Sequence, residues 1–277
     1  MEWISTAQLA ADSVKLAEKL PPDTARIVGI PRSGMIVASI VATHLHLPLW
    51  ELTAGFFRRL AGGSRGFHTP AGPTVIIDDT VYNGYSLGKA RQELREKGDN
   101  LFAAVYVRPD RTNLVNFHAR TLCHRSHLLE WNFFNNHSIW QAGVDTDFDG
   151  ILCHDPPVPD ADGGPELDRY RDWLRNAIPR WLVRAQPIRN IATGRLEVFR
   201  ADSTAWLQRW RVRFERLSMM PALFASKRGD VAAFKAGCYR QSGSAFFMES
   251  DPAQAARIHE LTGKQVICPP AGKVWMT

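Results

Sequence analysis

Two adjacent carboxylates, Asp78 and Asp79, directly follow the apolar run "TVII", which begins at Thr74. Such a run predicts a short buried strand, and a polar loop containing Gly84 follows the acids before a helical pattern begins. Ligands of open parallel sheets bind beyond the carboxyl ends of the strands. The acid pair therefore marks a candidate binding site. The alternative is a solvated turn in which the acids cap the helix.

The loop after the acid pair carries groups that suit a phosphate. Backbone N–H groups at the start of a helix, together with the positive end of the helix dipole, attract anions. Gly84 permits close approach of the backbone, and Thr80, Tyr82 and Ser86 add hydroxyl donors. Carboxylates accept hydrogen bonds only, which suits the 2′,3′-diol of a sugar. A phosphorylated ribose is the ligand that fits both features.

A second acid pair, Asp147 and Asp149, lies in "VDTDFDGIL" after a short apolar start. One carboxylate of such a pair can attack a phosphoryl group while the other, two residues on, protonates the leaving oxygen. Mg²⁺ between Asp147 and more distant acids would offset the repulsion between their charges. The pattern therefore predicts phosphoryl transfer.

A calcium loop is the rival interpretation of this second segment. Asp145, Asp147, Asp149 and Gly150 fit the first half of an EF-hand loop. That loop needs a glutamate at its twelfth position, where this sequence has Pro156, and the Pro/Gly/Asp-rich residues that follow cannot form the exit helix. The sequence thus excludes an EF-hand.

The composition is that of a soluble globular protein. The chain has 277 residues, 45% of them hydrophobic and 22% charged, with a formal net charge of +6. The positive charge favours anionic partners: phosphorylated metabolites, nucleic acid or acidic surfaces. Four scattered cysteines do not form a disulfide framework. With no signal-like start and no run near the ~20 apolar residues of a membrane span, the expected location is the cytoplasm and no membrane contact is expected.

Apolar runs and helical patterns alternate along the chain. In the first half, "ARIVGI", "TVII" and "NLFAAVYV" predict strands, "MIVASIVATHLHL" a helix, and "YSLGKARQELREKG" a helix ending at Gly98. "FFRRLAGGSRGFHTPAG" predicts a mobile loop or hairpin, and "LLEWNFFNNHSIW" a connection. In the second half, strands are predicted at "AGVDTDFDGIL", "PIRNIAT", "SAFFMES" and "KQVIC", with helices between them. The prediction is two consecutive α/β domains, residues 1–136 and 137–277, each with a parallel sheet covered on both faces.

The first half resembles the type I phosphoribosyltransferases. "VIIDDTVYNGYSL" is similar to their phosphoribosyl-pyrophosphate signature, and "GIPRSG" is similar to their pyrophosphate loop. The resemblance implies that Asp78 and Asp79 hold the ribose and take part in catalysis. It further implies phosphate contacts from the loop after the acids and pyrophosphate contacts with Mg²⁺ from the upstream loop. The residues implied in substrate binding are Thr80, Tyr82, Asn83, Gly84, Tyr85 and Ser86 for the phosphate, and Arg32, Ser33 and Gly34 for the pyrophosphate.

Two positions depart from the pattern of this family. Its usual Thr before the loop glycine is Asn83 here, and its usual second glycine is Tyr85. Asn keeps a hydrogen-bonding side chain, whereas Tyr places a large ring beside the phosphate. Three arginines of the Gly-rich segment, Arg58, Arg59 and Arg65, could close over the pyrophosphate.

The second half resembles the haloacid-dehalogenase-like (HAD) phosphatases, a Rossmannoid fold. The resemblance implies that Asp147 is the nucleophile and Asp149 the acid/base. "IRNIATGRLEVFRADSTAWL" is similar to the second motif, "AAFKAGCY" to the third and "FFMESDPAQA" to the fourth. These motifs imply that Thr193 grips the phosphoryl group and that Lys235, with Lys227 as fallback, neutralises charge. Asp147, Asp149, Glu249 and Asp251 are the implied Mg²⁺ ligands. Residues 156–164 leave space only for a minimal cap.

These resemblances together predict a Mg²⁺-dependent bifunctional enzyme of nucleotide metabolism. It would move a phosphoribosyl group between phosphoribosyl pyrophosphate and a base, and hydrolyse a phosphomonoester through an aspartyl-phosphate. Two other hypotheses stay open: a non-catalytic module that senses a nucleotide or phosphoribosyl pyrophosphate, and a nucleotide-depleting stress or phage-defence effector. In the second case a protein or nucleic-acid partner would hold the effector, and Trp/Arg-rich stretches such as "WLQRWRVRFERL" are compatible with it. The oligomeric state also stays open, and a homodimer is one possibility.

Overall fold

The computed structural model describes residues 2–62, 71–94, 100–122, 127–156, 166–184, 186–221 and 231–276. The chain folds into two compact units, Met1–Trp131 and Asn132–Thr277. Each unit is an α/β structure with a mainly parallel six-stranded sheet. The mixed α/β class and the parallel sheets predicted from the alternating pattern are confirmed. The predicted division after residue 136 stays a prediction.

The first unit contains eight described strands and three helices. In chain order they are β1 (Glu2–Ile4), α1 (Thr6–Ala17), β2 (Arg26–Gly29), α2 (Gly34–Leu45), β3 (Leu49–Thr53), β4 (Phe56–Ala61), β5 (Thr74–Val81), α3 (Tyr85–Glu93), β6 (Asn100–Val107), a 3₁₀ turn (Pro109–Leu114), β7 (Phe117–Thr121) and β8 (His127–Leu129). The large sheet has the order β4-β3-β2-β5-β6-β7. Its strands run parallel except for the antiparallel pair β3–β4. A separate parallel pair joins β1 to β8.

Both faces of this sheet are covered, because alternate residues of a strand point to opposite sides. Ile27 and Ile77 lie in one apolar cluster with residues of α1 and α2. Val28 and Ile76 lie in a second cluster with residues of α3. From β2 the chain passes through α2 to β3, whereas from β5 it passes through α3 to β6 on the other side. The strand order therefore reverses between β2 and β5, and a crevice at such a switch point is where open α/β sheets bind ligands.

The second unit also has a mainly parallel six-stranded sheet, with a different order of strands. After α4 (Glu130–Phe133), its elements are α5 (His137–Gln141), β9 (Val144–Thr146), α6 (Leu167–Asn176), β10 (Ile188–Leu196), a 3₁₀ turn (Glu197–Phe199), α7 (Arg200–Arg209), β11 (Phe214–Met220), α8 (Val231–Ser242), β12 (Phe246–Met248), α9 (Pro252–Thr262), β13 (Gln265–Cys268), a 3₁₀ turn (Pro269–Ala271) and β14 (Lys273–Trp275). The sheet order is β11-β10-β9-β12-β13-β14, with only β14 antiparallel. The order reverses between β9 and β12, so these two strands flank the switch point.

Several elements differ from the predictions. The Gly/Arg-rich segment begins as a strand, β4, which pairs with β3, so the hairpin alternative holds for that part. The predicted connection around residues 128–140 contains β8, α4 and α5. Strand β11 was not predicted, because "FERLSMM" mixes charged and apolar residues without a clean alternation. The predicted end of a helix at Gly98 and almost all of the predicted cap lie outside the described residues.

No helix within the described residues is long and apolar enough to cross a membrane.

Candidate functional sites

The first acid pair is buried at the carboxyl end of β5, the central strand beside β2. Asp78 is 7% exposed and Asp79 is 3% exposed. Gly34, the first residue of α2, lies directly against this strand end: a Cβ at Gly34 would be 2.7 Å from Ile77 O and 3.2 Å from Asp78 Oδ1. Only a residue without a side chain permits this approach. The predicted pyrophosphate loop and the predicted ribose acids are thereby brought together.

The surroundings of Asp78 disfavour its charged form. The pKa of Asp78 is raised well above its ordinary value, first by burial and then by the neighbouring Asp79 carboxylate. The backbone N–H of Asp79 donates to Asp78 Oδ1 at 2.9 Å. The indole Nε1 of Trp131 donates to Asp79 Oδ2 at 2.6 Å. Within the described part of the chain, no Lys or Arg forms a salt bridge with Asp78.

The end of β5 and the loop that leads to α3 offer donors beside the acid pair. Thr80, which the sequence predicted in the loop, lies in β5. Thr80 Oγ1 is buried and has no hydrogen-bond partner among the described residues. Gly84 has a positive φ of 79°, and no side chain caps α3 at this position. Asn83 Oδ1 accepts from the N–H of Tyr85 at 3.0 Å, so one donor of the first turn is already occupied. The side chains of Tyr85 and Ser86 are exposed.

Aromatic and basic side chains stand beside the same loop. The Arg108 guanidinium lies over the Tyr82 ring at 4.9 Å from its centroid. The His127 ring meets Tyr82 edge-on, with the centroids 5.7 Å apart. His127 Nδ1 is buried without a hydrogen-bond partner in the described structure, and burial lowers the pKa of His127. The loop thus has a wall of mixed aromatic and cationic character.

The predicted pyrophosphate contacts lie where β2 turns into α2. Arg32 is exposed and Ser33 is half-buried, and no side chain caps the start of α2. Arg58 in β4 donates to Glu51 of β3 at 2.6 Å, so it is held in a strand pair. Arg59 is exposed in the same strand. Arg65 lies outside the described residues.

The second site centres on one buried ammonium group. Lys235 Nζ, on α8, donates to Asp147 Oδ2 at 2.7 Å and to Glu249 Oε2 at 2.6 Å. A third contact reaches Gln254 Oε1 at 3.1 Å. Lys235 is 2% exposed, Asp147 6% and Glu249 0%. Asp147 follows β9 and Glu249 follows β12, so this cluster occupies the switch point of the second sheet.

Backbone groups orient both carboxylates of this cluster. The N–H of Phe148 donates to Asp147 Oδ1 at 2.7 Å. Ser250 and Asp251 donate their N–H groups to Glu249 Oε1 at 2.8 and 3.2 Å. Burial raises the pKa of Asp147 well above its ordinary value, against the lowering by Lys235. The single positive charge of Lys235 thus lies between two buried carboxyl groups.

Close packing of small residues brings the predicted motifs together. A Cβ at Gly150, whose φ is 71°, would be 2.3 Å from Ser250 Oγ, so the loop after Asp147 lies against the loop after Glu249. Thr193, near the end of β10, is 1% exposed, and its Oγ1 accepts from the N–H of Arg195 at 3.2 Å. Lys227, the fallback lysine, lies outside the described residues.

Asp149, the predicted acid/base, lies in a salt bridge. Arg195 Nη2 is 2.6 Å from Asp149 Oδ1, and Arg195 Nε is 3.1 Å from each oxygen. The Cys153 thiol also faces Asp149 Oδ1, at 3.3 Å. The Asp149 side chain is 20% exposed, whereas that of Arg195 is 1% exposed.

Asp251, a predicted metal ligand, caps a helix. Its Oδ1 accepts from the N–H groups of Ala253 and Gln254 at 2.7 and 3.0 Å, and Pro252 follows at the first helical position of α9. This is the usual arrangement of an Asp N-cap. The side chain is exposed, and the contact accounts for an Asp at this position without a metal.

The four predicted Mg²⁺ ligands of the second site therefore have different partners: Lys235 for Asp147 and Glu249, Arg195 for Asp149, and a helix start for Asp251. Across the described ranges, no three His, Cys, Asp or Glu side chains are grouped so that they could hold a metal ion. In this arrangement the four carboxylates do not form a cation cage. Mg²⁺ is commonly held by one or two carboxylates together with substrate phosphates. Its binding at either site stays a prediction.

Three residues of these sites were missed from the sequence. Trp131 lies far along the chain from Asp79, which it contacts, and no local sequence pattern predicts that contact. Gln254 is an ordinary polar residue of a helix. Arg195 did carry a signal: a charged residue near the end of the buried strand pattern "IRNIATGRL" resembles the placement of Asp78 after "TVII".

No protein-family model matches the sequence, and no curated protein matches it. Among solved structures, the chain is similar to a purine phosphoribosyltransferase from Pyrococcus horikoshii, with 18% identity and a TM-score of 0.35 over 47% of this chain and 95% of that chain. It is also similar to a xanthine-guanine-hypoxanthine phosphoribosyltransferase from Helicobacter pylori, with 15% identity and a TM-score of 0.37 over 47% of this chain and 91% of that chain. A third similar structure is a hypothetical protein from Neisseria gonorrhoeae with bound ppGpp, with 14% identity and a TM-score of 0.35 over 47% of this chain and 88% of that chain. Likeness at these identities and TM-scores fixes neither the family nor the function of this chain.

Proposed function

We propose that the first unit binds phosphoribosyl pyrophosphate, or a nucleotide, and transfers the phosphoribosyl group between pyrophosphate and a base. One observation carries the proposal: the start of α2 at Gly34 packs against Asp78 at the switch point of the sheet. This packing supports a single ligand that spans both loops, with a sugar diol at the acids and an anion at each helix start.

Each group has a task in this proposal. The two carboxylates accept hydrogen bonds from the ribose hydroxyls, which removes the need for a cation beside Asp78. Thr80 Oγ1, buried and without a partner in the described structure, donates to the 5′-phosphate together with the first turn of α3. In the reaction, the bond from the anomeric carbon to the pyrophosphate oxygen breaks and a bond to a base nitrogen forms. Mg²⁺, held with the pyrophosphate beside the loop of Arg32, Ser33 and Gly34, would compensate the negative charge that develops on the leaving pyrophosphate.

Calorimetric titration with phosphoribosyl pyrophosphate tests the binding. The double variant Asp78→Asn plus Asp79→Asn is expected to lose binding, because neutral amides offer the diol one acceptor each instead of two. Asp23→Asn, which removes an exposed acid of the same unit, is the matched control and is expected to bind as the original chain does. Equal affinity in all three proteins would contradict the proposal.

A sensing module is the second candidate for this unit, and one contact favours it. The Asn83 side chain occupies the N–H of Tyr85, which is one of the donors that a phosphate at the start of α3 would use. Labelled phosphoribosyl pyrophosphate, supplied with a panel of bases, separates the two candidates. Transfer of label to any base supports the enzyme. Binding without transfer supports the sensor.

For the second unit, we propose phosphoryl chemistry at Asp147. The supporting observation is Lys235 Nζ, which lies between Asp147 and Glu249 in a buried cluster at the switch point. Asp147 attacks the phosphorus atom, the bond from phosphorus to the leaving oxygen breaks, and water later hydrolyses the aspartyl-phosphate. Lys235 stabilises the charge that develops on the phosphoryl oxygens. Thr193, buried in β10, the strand that pairs with β9, is assigned to phosphoryl binding.

The two activities would form a sequence in which the first unit makes a nucleotide and the second removes its 5′-phosphate. Asp147→Asn tests the coupling, since the amide is a poor nucleophile while its size is unchanged. This variant is expected to accumulate nucleotide and to release no free nucleoside. Release of free nucleoside by the Asp147→Asn variant at the original rate would contradict the coupling.

A further inference from the structure

We propose that Trp131 is a positioning residue, whose indole N–H holds the Asp79 carboxylate in the orientation that accepts a hydrogen bond from a ribose hydroxyl. This inference rests on the ribose binding proposed for Asp78 and Asp79. It adds the residue that orients one of the two acids before the ligand arrives. Trp131 acts through Asp79 and is assigned no contact with the reacting atoms.

The contact between Trp131 and Asp79 is short and shielded from water. Nε1 of Trp131 lies 2.6 Å from Asp79 Oδ2, and Asp79 is 3% exposed. An indole N–H is a donor only, so the carboxylate oxygen must be the acceptor. A carboxylate accepts up to about four hydrogen bonds. One indole N–H therefore fixes the direction of the carboxylate and uses only part of its capacity to accept.

The indole is a neutral donor, which distinguishes this contact from the salt bridges of the second unit. Arg195 and Lys235 bring a positive charge to the carboxylates that they contact. Trp131 orients Asp79 without adding a positive charge beside the acid pair. A binding group that is already held in its bound geometry does not have to be ordered when the ligand binds, which strengthens binding.

Stacking on a buried ring restricts the orientation of the indole. The Trp131 ring stacks on the Tyr106 ring, with the centroids 6.3 Å apart and the planes 23° apart. Tyr106 is buried in β6, and its hydroxyl donates to Asp12 Oδ2 of α1 at 3.0 Å. In the pairing of β6 with β5, Tyr106 lies beside Thr80, the residue after Asp79. Neighbouring strands therefore carry the acid and the ring on which its donor stacks.

The backbone before Trp131 is fastened to the amino end of α1. β8 pairs with β1 in parallel, with Leu129 beside Ile4, and both of these side chains are buried. A carboxylate oxygen of Glu130, Oε2, accepts from the N–H of Thr6 at 2.6 Å. These contacts hold the two residues immediately before Trp131, so the direction of the indole is set by paired backbone.

Other indoles of the chain show that a buried N–H does not need an acid in this protein. The Nε1 atoms of Trp50 and Trp210 are buried and have no hydrogen-bond partner among the described residues. Packing alone therefore does not account for the bond between Trp131 and Asp79. Trp50 also provides a matched control, because it belongs to the same unit as Trp131.

Binding of ribose 5-phosphate and 2,3-dideoxyribose 5-phosphate, which differ only in the two hydroxyls, tests the inference. All proteins are full chains that carry Asp147→Asn, so that the second unit does not hydrolyse the probes. In calorimetric titrations, this starting chain is expected to bind ribose 5-phosphate at least about tenfold more tightly. Trp131→Phe, which keeps a ring on Tyr106 and removes the N–H, is expected to lower this preference at least about threefold. Trp50→Phe is expected to keep the preference within about twofold of its starting value.

The outcomes separate the inference from the proposed function. An unchanged preference in Trp131→Phe would overturn the inference and leave the proposed ribose site intact. Equal weakening of both sugars in Trp131→Phe would also overturn it, because a structural role alone would have that effect. If the starting chain binds the two sugars equally, or binds neither, the proposed ribose site fails together with the inference.

Nuclear magnetic resonance of the indole N–H groups tests the contact without a change at Trp131, which covers a Trp131→Phe chain that does not fold. The chain has nine tryptophans. An indole N–H resonance of the starting chain is expected to shift with ribose 5-phosphate and not with the dideoxy sugar. If no indole resonance responds selectively to ribose 5-phosphate, the inference is wrong.

Discussion

The two units place acidic side chains at the same position of their sheets but compensate the charge differently. In the second unit, Lys235 contacts both Asp147 and Glu249 within 2.7 Å. In the first unit, burial and Asp79 raise the pKa of Asp78, and no described Lys or Arg pairs with Asp78. A buried charge with a fixed partner belongs to the folded structure, whereas one without a partner favours a ligand that supplies it. The difference predicts opposite responses to mutation in the two units.

Removing the internal cation is expected to have the largest effect. Lys235→Met leaves Asp147 and Glu249 buried without their shared partner, which is expected to lower the free energy of unfolding of the second unit by about 3–5 kcal/mol. Urea denaturation measures the loss. Lys273→Met, at an exposed lysine of the same unit, is the control and is expected to change the free energy by less than about 0.5 kcal/mol. A similar small change for Lys235→Met would abolish the contrast between the two sites.

Filling the close contact between Gly34 and the strand of the first acid pair is expected to have the next largest effect on stability. The Cβ of Gly34→Ala would meet Ile77 O at 2.7 Å and Asp78 Cα at 3.1 Å, both backbone atoms. Relief requires the start of α2 to move, at an expected cost of about 1–3 kcal/mol. Gly88→Ala is the matched control, because no heavy atom lies within 4 Å of its added Cβ, and it is expected to gain up to about 1 kcal/mol from helix propensity. Thermal unfolding compares them, and equal melting temperatures would show that the loops do not touch in solution.

Removing an acid of the first unit is expected to stabilise it. Asp78→Asn keeps an acceptor for the N–H of Asp79 and abolishes the repulsion, for an expected gain of about 1–2 kcal/mol at neutral pH. Because the folded pKa of Asp78 is raised above the ordinary 3.8, the folded state binds the proton more tightly than the unfolded state. The stability of the original chain therefore falls as pH rises from about 4 through the raised pKa, and the gain of the variant grows over the same range. Denaturation at several pH values measures this difference. If the stability gain of Asp78→Asn stayed the same from acid to neutral pH, the raised pKa of Asp78 would be contradicted.

The helix cap at Asp251 is expected to give the smallest effect. Asp251→Ala removes the contacts to Ala253 and Gln254 and is expected to lower the free energy of unfolding by about 0.5–1 kcal/mol. Asp251→Ser restores a capping oxygen without a carboxylate, so its stability is expected to match the original chain. The phosphatase activity proposed for this unit, measured with 4-nitrophenyl phosphate, is expected to match as well. Loss of activity in a stable Asp251→Ser variant would instead support the predicted role of Asp251 as a metal ligand.

Local patterns were sufficient to predict the elements that carry the sites. "TVII" became the first half of β5, which continues through the two acids to Val81, and "AGVDTDFDGIL" became β9 and its loop, because a short apolar run predicts a buried strand. Elements stabilised by partners distant in sequence were missed. β11 pairs with β10 and β8 with β1, and neither has a local alternation that identifies it as a strand.

The role of a charged residue was the least predictable feature, because it depends on which partner the fold brings to it. Asp149 has the same spacing from Asp147 as a phosphatase acid/base would, and only the path of β10 places Arg195 against it. Asp251 follows Glu249 as a metal ligand would, yet it lies one residue before a helix that begins with Pro252. In both segments the sequence is compatible with two roles, and the contact that the fold brings to each acid is not visible in the local pattern.

By itself, the sequence determined which strands carry acids at or after their ends and that two α/β units follow one another, since apolar periodicity and turn residues act over a few positions. Only the tertiary structure decided which acids are compensated. It carries Lys235 across 88 positions to Asp147 and Trp131 across 52 to Asp79. Electrostatic energy depends on distance and burial in three dimensions, and neither quantity is encoded in the spacing of residues along the chain.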